Sequence, residues 1–473
     1  MRALGARLPD IRLAGGLDAW LAFTGCLIAV FMQMIDVTIV NTALPELTAD
    51  LNASAAQQLL VVSGYSLAFA CTLLTAARIG AILGRRVVFL VSVTAFTVFS
   101  VWCGMSTSAL ELVIARIFQG AAGAGMAAQT IAILIASFPP SRHQLVFALY
   151  GATAGFAGML GPIVGGALVT ADIAGLGWHS VFLMNLPIGL LAFALGYRYL
   201  RLGRPPERDR LDLGGVVLST VSLFALLAAL ADIQQNGWRP GPFAVLAAAL
   251  ALGAVFLAYE RRLVWRGGSP LVRLDLFADR GFAIGAGLVA CFFGLFTAFV
   301  FTVSITLQDI LHFSPLRTGF AMTPFALGAG AGALASPFLV KRWGVKVLAG
   351  GIAGYGSLVA VGAGYLRLTN GEVNLALALG PVFLSGLGVG LFGVQLQPLM
   401  LSGLRERQMA EASGQLPTIE QIGNAVGLAL LSVMFFRVHT LSGSVLMLSA
   451  IAIGALAMAA ATLALPDPAD KLR

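Results

Sequence analysis

The sequence has little charge. Asp, Glu, Lys and Arg make up only 11% of its 473 residues, and lysine occurs three times, as Lys341, Lys346 and Lys471. A soluble domain carries roughly a quarter of its residues charged to keep its surface wet, so a water-soluble globule is excluded. None of the lysines stands in a GxxxxGK[ST] loop, so ATP bound by this chain is not expected, and uphill work would draw on an ion gradient. There are four cysteines, Cys26, Cys71, Cys103 and Cys291, all inside apolar runs and without a CxxC or Cys/His cluster. That pattern argues against disulfides and a structural zinc. The four histidines are scattered and form no HExxH, which leaves no metal constellation and no sign of an enzyme.

What fills the sequence is hydrocarbon: 59% of residues are hydrophobic. Apolar runs of about 20 residues, enough to cross a hydrocarbon core of about 30 Å, recur along the chain. Fourteen such runs are expected, over 19–44, 56–80, 87–106, 111–137, 143–170, 178–200, 211–234, 240–262, 281–308, 315–340, 345–366, 374–400, 410–436 and 441–465. Lipid offers no partner to a bare peptide group, so runs of this length must be helices, and the short alternating segments of a β-barrel are missing. The expectation is an all-α polytopic membrane protein. Arg2, Arg7 and Arg12 precede the first run, which is too long for a signal-peptide core and has no small-residue cleavage site, so it is expected to stay as the first helix.

The net charge of +8 needs no nucleic acid to explain it. With the N-terminus inside, the inner loops and tails hold 24 of the 29 Lys and Arg, the outer loops hold Arg239, Arg317, Arg367 and Arg437, and Arg116 lies within a run. Basic residues favour the cytoplasmic side, so both termini are expected there.

The basic, proline-containing loop LRLGRPPERDRLD, Leu200 to Asp212, follows the sixth run and marks a boundary between halves. At a constant offset of 260 residues, LTADLNAS (Leu47 to Ser54) falls on LQDILHFS (Leu307 to Ser314). The same offset brings RIGAILGRRVVFL (Arg78 to Leu90) onto FLVKRWGVKVLAG (Phe338 to Gly350), with Gly84/Gly344 and Val87/Val347 identical. Repeated six-helix halves suit alternating access, with a substrate site near the midplane between them. The expected division is a cytoplasmic tail over 1–18, one six-helix bundle over 19–200, linkers and two inserted helices over 201–280 (the helices at about 211–262), a second bundle over 281–465 and a tail over 466–473.

Asp36 sits in FMQMIDVTIVNTALP, where an unpaired charge costs several kcal/mol, so it is expected to face a cavity or a partner. Gln33, one turn earlier, shares its helical face. The carboxylate binds a proton or a cationic substrate, or else is satisfied by hydrogen bonds between helices. Arg116, in ARIFQGAAGAG, has Gln119 and Gly120 on its face; its fixed charge would tune a nearby carboxylate, or it snorkels to the inner surface. GATAGFAGMLGPIVGG puts Gly158, Pro162 and Gly165 near one stripe, which reads equally as a hinge or a tight static contact. Glu420, in LPTIEQIGNAVG, is a second proton or cation site or a hydrated acid near the surface. Gln129, Asn185, Gln395 and Gln397 are candidate cavity dipoles, although bonding between helices is the commoner use. Tyr65, Phe292 and Phe296 are candidates to line a hydrophobic cavity.

Together these segments resemble the major facilitator superfamily, and within it the fourteen-helix branch of drug:proton antiporters. IDVTIVNTALP is similar to that branch's first-helix LDxTIVNVALP, ARIFQG to its RxxQG, GMLGPIVGG to GxxxGPxxGG, WHSVFLMNLPIG to WRWIFxINxPIG, and EQIGNAVGLALL to RQxGGAxGxA. The resemblance implies two six-helix bundles plus two inserted helices. It implies a proton-coupling role for Asp36 and Arg116, an antiporter hinge at Gly161, Pro162, Gly165 and Gly166, and an inner gating turn that keeps Gly84, Arg85 and Arg86. Four positions depart from it: in the turn, Ala81 replaces the gating aspartate, Ile82 the following arginine and Ala77 the first glycine, and Glu420 stands where many relatives have arginine.

The expectation that follows is proton-coupled export of hydrophobic small molecules or drugs, cationic or not, across a bacterial cytoplasmic membrane, by a monomeric unit with no cofactor beyond the proton gradient. Two alternatives stand beside it: export of one endogenous metabolite or lipid, and a non-transporting sensor or assembly partner that kept the fold.

Overall fold

Lipid leaves a backbone only itself to bond with. The computed structural model describes residues 16–202, 212–236, 239–266, 268, 270–313, 315–401, 404, 408, 412, 415–416, 418–424, 427 and 440–465, and among them there is no strand. The helices are α1 (Leu17–Asp50), α2 (Ala55–Leu83), α3 (Arg85–Gly104), α4 (Ala109–Ser137), α5 (Pro140–Ala171), α6 (His179–Leu183), α7 (Asn185–Tyr199), α8 (Leu213–Asn236), α9 (Pro240–Trp265), α10 (Arg280–Ile305), α11 (Pro315–Trp343), α12 (Val345–Leu368), α13 (Leu375–Leu401) and α14 (Leu441–Thr462). Most of the expected run at 410–436, and the expected tails over 1–15 and 466–473, lie outside the described residues.

Among the described residues, eleven spans are long and apolar enough to cross a membrane, and a twelfth if bent α5 counts as one. The apolar part of α8, Leu213–Ala229, is shorter. The expected sixth span runs continuously over His179–Tyr199, divided into α6 and α7 only by a turn at Met184 whose own backbone is helical.

Polar residues start the helices. Ser54 and Gln57 form a reciprocal capping box at α2, while Ser108, Asp279 and Thr440 each accept a backbone N–H at the start of α4, α10 and α14. The 260-residue offset returns in the backbone. Asn52 (φ 46°) and His312 (φ 55°) are left-handed after α1 and α10, and Gly84 (φ 98°) and Gly344 (φ 59°) turn the chain into α3 and α12. Positive φ is costly for a residue with a Cβ, so glycine at both turns is a steric requirement.

In the first half α1 packs on α5 and α7, α2 on α4, and α3 on α4 and α7. In the second, α11 and α12 pack on α13, and α14 on α12 and α10. Between the halves, α5 runs against α11 and α13. Ile131 of α4 and Phe147 of α5 belong to the hydrophobic core of the second half. Helices α8 and α9 pack on each other, with α8 against α2.

Small residues set the closest helix approaches. A Cβ on Gly328 or Gly332 of α11 would strike the carbonyl oxygen of Phe383 or Leu387 on α13, whereas at Gly330 it would meet nothing within 4 Å. Gly332→Ala is therefore expected to push α11 from α13 and lower stability by about 1–3 kcal/mol, with Gly330→Ala unchanged. Thermal unfolding of both variants in detergent measures the difference.

Candidate functional site

The polar face of α1 points into the first half, not into lipid. Asp36 is 0% exposed and Arg116 1%. Arg116 Nη1 donates to Asp36 Oδ2 at 2.5 Å, while Gln119 Nε2 and Asn185 Nδ2 donate to Oδ1 at 2.9 and 3.0 Å. Three helices, α1, α4 and α7, thus meet on one carboxylate. Gln119 lies three residues after Arg116, so both reach the same face of α4. Asn185 is the first residue of α7 and is buried.

The arginine is equally enclosed. Its Nε donates to the Val61 carbonyl of α2 at 3.2 Å and its Nη1 to Gln119 Oε1 at 2.8 Å. The guanidinium carbon stands 4.3 Å from the centre of the Tyr65 ring and 5.8 Å from that of Phe182. Gly120 makes this approach possible, because a Cβ there would strike the Tyr65 carbonyl oxygen. A further layer holds the donors: Asn185 Nδ2 also reaches Ser100 Oγ at 2.9 Å, Ser100 Oγ donates to the Phe182 carbonyl at 2.9 Å, and Cys103 Sγ lies 3.5 Å from Gln119 Oε1. A buried ion pair survives only when its remaining lone pairs and N–H groups are satisfied in this way. Protonating Asp36 would remove the charge that holds Arg116, and a displaced Arg116 would leave the carboxylate without its cation.

The structure brings Asp36, Arg116, Gln119, Asn185 and Tyr65 together. Gln33 is buried one turn away on α1. Other sequence candidates lie elsewhere. Gln129 is committed to the Ala76 carbonyl of α2 at 2.8 Å. Glu420 is half-buried and accepts from Gln397 Nε2, outside the Asp36 network; Gln395 is buried on α13. Near Glu420, Asn424 accepts from Thr297 Oγ1 at 2.6 Å. Phe292 stacks on Phe296 at 6.0 Å, and the pair continues to Phe392 and Phe325, an aromatic cluster joining α10, α11 and α13.

The α5 segment carries both readings left open by its spacing. Its portions Ser141–Gly158 and Ile163–Ala171 are bent by 42°, and Pro162, which lacks an N–H, lies in the break. A Cβ on Gly161 would strike Thr38 Oγ1, and one on Gly165 would come within 2.8 Å of Ile39, so this part of α5 is pressed onto α1 just after Asp36. Gly166 is looser, 3.8 Å from the Thr42 methyl by the same measure, and Gly158 faces open space.

At the other end of the first half, Arg85 Nη1 donates to the Ala132 carbonyl of α4 at 2.6 Å and Arg86 Nη2 to the Tyr197 carbonyl of α7 at 2.8 Å. With Ala81 in place of an acid, backbone carbonyls take these arginines. Trp178, opening the WHSVFLMNLPIG segment, donates its backbone N–H to Glu46 at 3.1 Å and its Nε1 to Asp50 at 2.9 Å, tying α6 to the end of α1.

Sequence reasoning missed Ser100, Cys103, Phe182 and the Val61 carbonyl. Three lie in uniformly apolar stretches with no signal, but Phe182 stands three residues before Asn185 within a recognised motif. It also passed over Glu260, which is 0% exposed at the end of α9 and accepts the Val272 N–H at 3.2 Å.

The chain belongs to the Major Facilitator Superfamily, whose family model matches residues 26–428. It is 34% identical over 422 residues to a Streptomyces coelicolor protein named "Probable actinorhodin transporter", covering 88% of this chain and 72% of that one. It is 33% identical over 410 residues to the cephamycin export protein of Amycolatopsis lactamdurans, covering 85% and 82%. The fold also matches the crystal structure of the human organic anion transporter MFSD10, with a TM-score of 0.65 at 14% identity over 94% of this chain and 99% of that one. The protein is thus a multi-pass membrane transporter of small molecules.

Breaking a buried pair strands the surviving charge. Arg116→Met is expected to lower unfolding free energy by about 3–5 kcal/mol, and the double variant Asp36→Leu/Arg116→Met to recover most of that loss. Thermal unfolding of the two single variants and the double tests it; strictly additive losses would contradict the coupling.

Proposed function

We propose that the protein is a proton-coupled antiporter that exports hydrophobic small molecules, cationic or not, from a bacterial cytoplasm by alternating access. The observation that carries this reading is the closed Asp36–Arg116–Gln119–Asn185 network, in which one fully buried carboxylate joins α1 to α4 and α7, so that adding a proton there changes how those helices are held together. A proton arriving from outside neutralises Asp36, releases Arg116 and loosens α4 and α7 from α1. Because Gly161 and Gly165 press α5 onto the same stretch of α1, the change reaches the α5 bend and, through α5, the second half. Loss of the proton to the cytoplasm resets the pair. Glu420, bonded to Gln397, supplies a second acid to the cycle. Gln33, Gln395, Phe292 and Phe296 are assigned to the cavity wall, and Gly84, Arg85 and Arg86 to the inner gate.

In this reading the chain has fourteen spanning helices, two six-helix bundles at 19–200 and 281–465 with α8 and α9 inserted between them, and both termini in the cytoplasm. It works as a monomer, without ATP or another cofactor. Membership of the fourteen-helix drug:proton branch rests on the first-helix, fifth-helix and sixth-helix motifs. A dedicated exporter of one metabolite is the second reading, favoured by relatives whose names each carry a single compound.

Reconstitution into liposomes with an imposed pH gradient tests both. The expected result is substrate-dependent proton movement that Asp36→Asn abolishes while the variant still reaches the membrane. Unchanged gradient-driven flux in Asp36→Asn would overturn the assignment of Asp36. Flux of one compound among cationic, neutral and lipid-like candidates would favour the dedicated exporter.

A further inference from the structure

In the second half, α11, α12 and α13 leave a groove of about 400 Å³ between them. Its walls are leucines, among them Leu339, Leu358, Leu384 and Leu391. Its floor includes Gly350 and Gly354 of α12, where an added Cβ would meet nothing within 4 Å. Glycine weakens a helix, and no neighbouring helix comes close enough at these two positions to require it. What the two glycines provide is room.

The groove is charged at one end only. Trp343 and Lys346 line its mouth, and the Arg342 guanidinium carbon stands 5.1 Å from the centre of the Trp343 ring. Lys341, Arg342 and Lys346 are all exposed, and among the described residues none has a carboxylate partner. Tryptophan with Lys or Arg marks the boundary between hydrocarbon and headgroups. From Lys346 to Leu358 the helix rises about 18 Å at 1.5 Å per residue, close to one leaflet of a core about 30 Å thick. The site is thus a leaflet-deep apolar slot, open where a chain must lie and cationic where a phosphate would sit.

We infer that this groove binds an anionic phospholipid, with one acyl chain lying along Gly350 and Gly354 and the phosphate held by Lys346 and Arg342. The inference needs only that the chain is embedded in a bilayer, and it stands or falls separately from proton coupling. Each cation near a headgroup contributes about fivefold in affinity, and the glycine floor sets whether a chain fits at all.

Native mass spectrometry of the purified full-length protein with phosphatidylglycerol and, separately, phosphatidylcholine tests the assignment. Wild type is expected to retain phosphatidylglycerol preferentially. Lys346→Gln should weaken that retention about fivefold and leave phosphatidylcholine unchanged, while Gly354→Leu, which fills the slot, should weaken both. Equal retention of the two lipids by wild type, or unchanged phosphatidylglycerol binding in Gly354→Leu, would overturn it. A measurement on the unaltered groove guards against a variant that fails to fold. Phosphatidylglycerol brominated on its chains should quench Trp343, read as the difference between wild type and Trp343→Phe, more than brominated phosphatidylcholine does; equal quenching would overturn the headgroup assignment.

Discussion

A carboxylate cannot stay ionised inside a bilayer-embedded bundle without a cation and a full set of donors, and that constraint organises the first half of this protein. Asp36 draws Arg116 and Gln119 from α4 and Asn185 from α7, while Arg116 in turn claims the Val61 carbonyl of α2. Four helices are thereby fixed relative to one another by a few polar atoms at the depth where hydrophobic packing is least able to specify register. Lipid-exposed leucines exchange readily for other leucines, whereas a satisfied buried ion pair has one arrangement, and removing any member leaves another unpaired.

Glycine supplies the second constraint. The polar network needs helices closer than ordinary side chains allow, and Gly120 lets α4 approach Tyr65 on α2 just where Arg116 must reach across. Gly161 and Gly165 do the same for α5 against α1. The first half therefore joins a buried ion pair to a bent helix through direct contact, and the α5 helix is also the one that runs against α11 and α13 of the other half.

Much of this was legible in the sequence. A carboxylate, an arginine and glutamines in otherwise apolar runs have few places to go, so their inward orientation followed from the cost of exposure to lipid. Asn185 and Tyr65 were recognisable as polar or amphipathic residues within apolar runs. The 260-residue repeat reappears as paired left-handed positions, Asn52 with His312 and Gly84 with Gly344. Ser100 and Cys103 were not legible, because a small hydroxyl or thiol in an apolar helix faces lipid or partner without any change in pattern. Nor was the identity of the groups that meet Arg85 and Arg86, since backbone carbonyls leave no trace in the residue types.

That last pair of arginines has a consequence for how the molecule responds to acidity. A turn fastened by carboxylates loosens whenever they take up protons, so the fastening and the fuel of a proton-driven machine interfere with each other. Here the turn around Gly84 is held by guanidinium groups that donate to peptide carbonyls, with no carboxylate in either contact. That fastening does not depend on whether an acid is ionised, unlike the pair that Asp36 makes with Arg116.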